Sequence, residues 1–363
     1  MKLWYNYIRE SLDLFFRMEW QVIDIVKKIY IITGANGFLG NNIIRKLEQD
    51  ADNEIRAFVL KGDSIKSLEG LKCKIYYGDV TKKETLSLIF ENTDGKEVFV
   101  IHCAAVVYIK SKYNPLVYNV NVNGTKNIVD KVIESKAKLI YISSVHAIPE
   151  PPNNELITEI TNFNPDNVKG LYAKTKAMAT KYLLENVSQD LENNPEIIIV
   201  HPSGVIGPFE YIPSNLGQLV IDCSNKKIGA YLEGGYNFVD VRDVANGIVL
   251  AAEKGKNGEC YILAGHKVSV KELMLEIEKY TKVKMPAFKI ARWFAYATGF
   301  LSEIYYKIVK QKPLFTSYAV YTLGTNCNFS NEKAKKELGY TIRPIDETIK
   351  DTIDWFREMG KIK

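Results

Sequence analysis

A short apolar run at 29–33 (IYIIT) leads directly into Gly34–Ala35–Asn36–Gly37–Phe38–Leu39–Gly40, after which a helical pattern begins. A β-branched run of this length reads as a strand buried on both faces of a parallel sheet. Gly34 permits a tight turn. Gly37 lets the backbone approach a pyrophosphate, and Gly40 lets the new helix pack against the strand. The helix start then presents free N–H groups and a positive dipole end to an anion. The spacing is GxxGxxG rather than the usual GxGxxG. A plain close-packed turn can also use three glycines. The nucleotide reading therefore rests on its context, a strand before, a helix after and further βα units downstream.

Those units follow in order. Residues 41–49 read as a helix and 54–60 as a second strand. An acid at the end of that strand would bind the ribose 2′-hydroxyl of NAD, and a basic residue would accept the 2′-phosphate of NADP. Leu60 and then Lys61 stand there, with Asp63 slightly later, which favours NADP while leaving NAD open. Residues 74–77 read as a strand ending in Gly78–Asp79–Val80, where Asp79 caps the next helix or contacts adenine. A fourth strand at 98–103 ends in Ala104 and Ala105, small enough for the chain to pass beneath a dinucleotide. His102 within it reads as a strand-end core histidine. A helix over 118–132 carries Asn121 and Asn123, poor helix formers that suggest hydrogen bonds tying neighbouring strands together.

The fifth strand, 139–143, runs into Ser143 and Ser144, where open parallel sheets bind their ligands. A proline-rich loop over 149–167 reads as a cover for the site. A helix over 171–184 then carries Tyr172 and Lys176, four apart and on one face. An ammonium near a phenol favours the phenolate, which makes a tyrosine usable as an acid or base near neutral pH. The sixth strand, 196–200, ends in His201–Pro202–Ser203–Gly204, a rigid loop against which a flat ring can lie. Residues 236–241 and 259–264 read as later strands. Asp243 is expected to cap one late helix and Ser269 to begin another, over 270–280. Helices over 328–339 and 345–359 close the chain.

Composition removes some alternatives. A net charge of +5 without a block of like charges gives no footprint for nucleic acid. The cysteines at 73, 103, 223, 260 and 327 have no metal or disulfide spacing, which suits a reducing cytoplasm. Residues 1–27 precede the fold as an extension of helical spacing, with Glu10, Asp13, Glu19 and Asp24 breaking any signal-peptide core. Residues 290–309 are aromatic-rich, but Arg292, Glu303 and Lys307 interrupt them, so they read as pocket lining rather than a bilayer span. Either segment is a candidate for contact at a membrane surface.

TGANGFLG, GDVT, IHCAA, NVNGT, SS, YAKTK and HPSGVIGP occur in this order, and together the chain from about residue 28 onward resembles the extended short-chain dehydrogenases/reductases of the NAD-dependent epimerase/dehydratase type. VHAIPEPP, HPSGVIGP and FVDVRDVA most resemble their bacterial dihydroflavonol-4-reductase-like branch. The resemblance implies an α/β fold, a Rossmann-type doubly wound parallel sheet with a smaller, mostly C-terminal substrate-binding region. It implies a dinucleotide-binding domain over 28–205 and a substrate region over 206–363, with 236–264 returning to the core.

By the same resemblance Ser144, with Ser143 in reserve, Tyr172 and Lys176 are catalytic. Gly34, Gly37 and Gly40 would hold the pyrophosphate, Asp79 and Val80 the adenine, and Pro202 and Ser203 the nicotinamide side, with Asn36, Phe38, Leu39, Lys61, Ala104 and Ala105 also at the cofactor. No metal is implied. The chain departs from the pattern at Leu60–Lys61, which is neither the usual acid nor arginine, and at His201, where relatives commonly carry arginine. The implied activity is reduction of a carbonyl, or oxidation of the alcohol, on a small hydrophobic substrate. Nucleotide-sugar epimerase or dehydratase activity and a non-catalytic nucleotide-binding regulator are the alternatives. A sugar diphosphate wants basic groups, yet only Lys226 and Lys227 lie between Gly207 and Phe238. A homodimer is compatible with the resemblance.

Overall fold

The computed structural model describes residues 28–108, 113–187, 194–291 and 317–363. The amphipathic readings at 1–27 and 292–309 lie outside the described residues. Seven parallel strands form the main sheet: β1 (Ile29–Thr33), β2 (Glu54–Val59), β3 (Lys74–Tyr77), β4 (Val98–His102), β5 (Lys138–Ile142), β6 (Ile197–Pro202) and β10 (Cys260–Leu263). Their order is β10-β6-β5-β4-β1-β2-β3. The chain builds outward from β1 to β3, then returns to the other side of β1. The carboxyl ends of β1 and β4 therefore border a crevice where the winding reverses.

The alternation along β1 explains the two-sided sheet. Ile29 and Ile31 face one core, and Tyr30 and Ile32 the other. On the first face lie α3 (Thr125–Ser135), through Ile128 and Val132, and α4 (Leu171–Glu185), through Ala173, Ala177 and Leu183. On the second lie α1 (Phe38–Leu47), through Ile43, Ile44 and Leu47, and α6 (Val241–Lys254), through Val244 and Ile248. Tyr30 and Phe99 stack there with ring centroids 4.9 Å apart.

A third core belongs to the later chain. A small sheet orders β7 (Gly204–Ile206), β9 (Gly235–Asp240) and β11 (His266–Ser269), with β9 central. Tyr236 and Phe238 of β9 pack with α5 (Asn215–Ser224), α7 (Val270–Thr281) and α10 (Ile345–Glu358). A two-stranded pair joins β8 (Ala230–Leu232) to β12 (Phe288–Ile290). Two shorter helices, α8 (Ser317–Thr322) and α9 (Glu332–Leu338), complete the C-terminal part, and a four-residue helix, α2 (Pro115–Tyr118), precedes α3. Among the described residues no helix is long and apolar enough to cross a membrane.

Four local readings change. The first helix starts at Phe38, three residues earlier than its pattern suggests, because extended Gly37 (ψ 171°) already serves as its N-cap. The helix expected over 118–132 is α2, a π-helical turn over Asn119–Gly124, and α3. Asn121 in that turn bonds both backbone groups of Val106 and the Thr175 hydroxyl, so it ties the exit of β4 to α4 rather than strand to strand. The cap of α6 is Asp240, whose carboxylate accepts from the Arg242 N–H at 2.8 Å, because β9 ends there. Asp243 lies one turn inside and accepts from the backbone N–H and the Nε of Arg343. Ser269 does cap α7, reciprocally with Glu272.

Candidate active site

A cleft of about 430 Å³ opens at the carboxyl ends of the central strands. Its floor is the glycine turn. Gly34 has φ +64°, and a Cβ there would sit 2.9 Å from the backbone of Ala104. A Cβ on Gly40 would lie 2.4 Å from the Gly34 carbonyl oxygen and 2.8 Å from Ala35 Cα. Turn, helix and neighbouring strand exit thus meet backbone to backbone. Gly37, Phe38 and Leu39 line the cleft at the start of α1, whose first turn carries no acidic residue and no side-chain cap. An uncapped helix start beside bare backbone suits a pyrophosphate, so the residues present fit a dinucleotide.

Asn36 shapes the rim. Its amide donates to the Ser64 carbonyl at 3.1 Å and its own carbonyl accepts from the Ser67 hydroxyl at 2.7 Å. The loop after β2, with exposed Lys61, is thereby pinned to the glycine turn. Asp79 closes its own turn by accepting from the N–H and hydroxyl of Thr81. Val80 packs against Gly124, where a Cβ would meet it at 2.8 Å. Lys61, Asp79, Val80, Asn36 and Ala104 are not among the residues bounding the cleft, whereas Ala105, Pro202 and Ser203 are.

Ser144, Tyr172 and Lys176 line the same cleft. The two serines differ in what holds them. The Ser143 hydroxyl is paired with that of Thr180 at 2.8 Å. The Ser144 Oγ accepts from the His146 N–H at 3.2 Å, which leaves its hydrogen available to a bound acceptor. His201 supports that strand end, with Nδ1–H donating to the Ser144 carbonyl at 3.0 Å and its ring stacked on Phe163. Burial holds His201 neutral, pushed down to about 4. His102 sits between the hydroxyls of Thr33 (2.7 Å) and Thr125 (3.1 Å), and burial takes it down to about 3. It is a core residue, not a base.

Lys176 is buried. Its ammonium donates to the Ile142 carbonyl at 2.6 Å and lies 4.7 Å from the Tyr141 ring centroid. Desolvation pushes it down to about 7. The unfolded lysine has a pKa of about 10.4, so between these values the unfolded chain holds more protons and stability rises with pH. The wild-type protein should gain roughly 2–3 kcal/mol over Lys176→Met between pH 7 and about 9.5, near the one-proton limit of about 1.4 kcal/mol per unit. Urea unfolding at the two pH values measures this. A constant difference would show that burial does not depress the Lys176 pKa.

Sequence reasoning missed several residues that shape the cleft. His146 follows the serine pair and forms part of its wall, with its ring centroid 6.4 Å from that of Tyr172. Glu210, Ile212 and Ser214 close the cleft from the loop after β7. Glu210 is buried, accepts from the Ser214 N–H at 2.8 Å, and is raised by desolvation. That loop is strapped to α1 and α10, since Arg45 lies 4.1 Å over the Phe209 ring and Phe209 packs on Trp355. No periodicity marks these contacts. His146 was signalled only by its place in the strand-end motif.

The match to known proteins is broad. The 3-beta hydroxysteroid dehydrogenase/isomerase family matches residues 31–264. Sterol demethylase protein B of Methylococcus capsulatus is 25% identical over 338 residues, covering 92% of this chain and 99% of that protein. A candidate dihydroflavonol 4-reductase of Synechocystis sp. is 26% identical, covering 92% of this chain and 96% of that one. The crystal structure of gox2253 superposes with a TM-score of 0.78 at 32% identity, over 92% of this chain and 99% of that chain.

Proposed function

Because the chain belongs to the 3-beta hydroxysteroid dehydrogenase/isomerase family, we propose that it interconverts a ketone and an alcohol on a small molecule, with Tyr172 as proton donor. The chain is an NAD(P)-dependent extended short-chain dehydrogenase/reductase. The observation that carries the reading is the shared cleft, in which the glycine turn, Ser144, Tyr172 and Lys176 all face one space. Residues 28–205 would chiefly hold the cofactor and 206–363 chiefly the substrate.

Gly34, Gly37, Gly40 and the start of α1 would hold the pyrophosphate, and Pro202 and Ser203 would border the nicotinamide. When bound, the nicotinamide supplies the hydride for reduction and accepts it for oxidation. Ser144 donates its free hydrogen to the substrate oxygen. Tyr172 transfers its phenolic proton to that oxygen as the carbon is reduced. Lys176, one turn further along α4, in its protonated form stabilises the phenolate that remains. In the alcohol direction the same proton returns to Tyr172.

A panel containing a 3-hydroxysterol, a dihydroflavonol and UDP-glucose tests the reaction class. Net production or consumption of NAD(P)H with a sterol or flavonoid alcohol is the expected result. Interconversion of the UDP-sugar with retained cofactor would replace the reading with an epimerase. Exposed Lys61 at the end of β2 supports a preference for NADP. NADPH should bind roughly tenfold more tightly than NADH, the effect of one charge-assisted contact of about 1.4 kcal/mol, and Lys61→Ala should erase the difference. Tighter binding of NADH in a fluorescence titration would sink the NADP assignment.

A further inference from the structure

His201 lies near the end of β6, between β5 and β10, with its backbone opposite Ile262 of β10. Its side chain is fully buried, and the ring lies parallel to that of Phe163, 5.4 Å away at an interplanar angle of 6°. Nδ1 is 3.0 Å from the Ser144 carbonyl oxygen. A carbonyl has no hydrogen to give, so the proton of this bond belongs to Nδ1. Nε2 has no hydrogen-bond partner among the described residues. The one polar contact of the buried imidazole is therefore with Ser144. Lys176 and Lys333, the charged groups that bear on the ring, both oppose its protonation. A neutral donor is buried here at less cost than a guanidinium, whose charge cannot be removed.

Ser144 is extended (φ −163°, ψ 150°) and opens a short 3₁₀ turn over Val145–Ala147. Its Oγ accepts from the His146 N–H at 3.2 Å, and its carbonyl accepts from the Ala147 N–H at 3.0 Å. Both donors belong to the same turn. These bonds move with Ser144 and do not set its place in the cleft. The residue before it is fixed to β6, since the Ser143 N–H donates to the Val200 carbonyl at 2.8 Å. Past that last sheet bond, the imidazole is what ties the Ser144 peptide to the sheet. His201 itself is not among the residues bounding the cleft, whereas Ser144 is.

We propose that His201 is a positioning residue for the reaction, holding the Ser144 peptide so that the Ser144 hydroxyl meets the substrate oxygen beside Tyr172. The proposal rests on the reading of Ser144 and Tyr172 as the groups that bind and protonate that oxygen. The effect of His201 then falls on kcat rather than on cofactor affinity.

Two substitutions separate the donor from the ring. His201→Phe keeps a ring against Phe163 and lacks the donor. The Ser144 carbonyl retains the Ala147 N–H, so no buried acceptor is orphaned. His201→Asn places an amide N–H near the position of Nδ1–H and lacks the ring. Kinetics use NADP⁺ and whichever panel alcohol the wild type turns over. His201→Phe should lower kcat about 10–100-fold, the cost of a small misplacement, with NADP⁺ affinity unchanged. His201→Asn should recover most of kcat, although it should unfold at lower urea than His201→Phe. In a Ser144→Ala background, His201→Phe should cost far less than it does alone, because its effect passes through Ser144. Full kcat in His201→Phe, a loss in His201→Asn as large as that in His201→Phe, or an undiminished cost in Ser144→Ala would overturn the proposal. Wild-type kcat in Ser144→Ala instead strikes the reading beneath it. A ¹⁵N spectrum of histidine-labelled protein needs no turnover. The His201 signals, assigned by their absence in His201→Asn, should show the neutral Nδ1–H tautomer from about pH 6 to about pH 9. The Nε2–H tautomer would overturn the proposal whatever the panel gives.

Discussion

Replacing Tyr172 with phenylalanine should lower kcat by about 10²–10⁴-fold, the usual contribution of a positioned proton donor, while NADPH affinity stays within about twofold of the wild type. The substitution removes one hydroxyl and keeps the ring. The edge-to-face contact with His146, at 6.4 Å between centroids, is therefore preserved. Ala173 and Ala177, which seat α4 on the sheet, are untouched. Steady-state kinetics and a cofactor titration on the same preparation separate chemistry from binding. Tyr172 and Lys176 act as a unit, so Lys176→Met in the Tyr172→Phe background should cost far less than it does alone. Wild-type turnover in Tyr172→Phe would refute the assigned mechanism.

Gly40→Ala should produce the other large effect. The added Cβ would meet the Gly34 oxygen at 2.4 Å, Ala35 Cα at 2.8 Å and the Ala35 oxygen at 2.9 Å. All three are backbone atoms, so no side chain can rotate aside, and α1 has to move off the turn. Overpacking of this kind costs about 1–3 kcal/mol and occasionally more. The helix start should shift with it and weaken NADPH binding at least tenfold. Gly37→Ala is the informative companion, since its Cβ would meet only the Gly34 oxygen, at 3.0 Å. It should lose less stability while still weakening the cofactor. Denaturant midpoints and NADPH titrations distinguish the two variants. Gly40→Ala binding NADPH as tightly as wild type would sink the cradle assignment.

The main sheet was largely legible before any coordinates, because period and composition carry it. A run such as IYIIT places alternate residues in two separate cores, and β1, β4, β5 and β6 all share that density of branched apolar residues. Boundaries shifted by a few residues where a cap decided them. Asp240 rather than Asp243 starts α6, because a helix begins where the strand releases the backbone, and that point depends on pairing with β7 and β11. The asparagines of Asn119–Gly124 mark poor helix formers, but not that the turn there is π-helical. Within it Asn121 bonds Val106 and Thr175, partners 15 and 54 residues away in sequence.

The sequence by itself determined the glycine turn, the order of the sheet units and the placing of Tyr172 above Lys176 on one helix face. Each depends on interactions within a few residues or on a repeating pattern. Tertiary structure alone decided that the Ser143 hydroxyl is taken, through its bond to Thr180. It also decided that His201 braces the Ser144 carbonyl, and that Glu210 and Ile212 close the cleft. It set the His146–Tyr236 wall that divides the cleft from a second cavity. These contacts join strand ends and loops distant in the chain, and their geometry follows from how the sheet and the C-terminal helices pack, which no local pattern records.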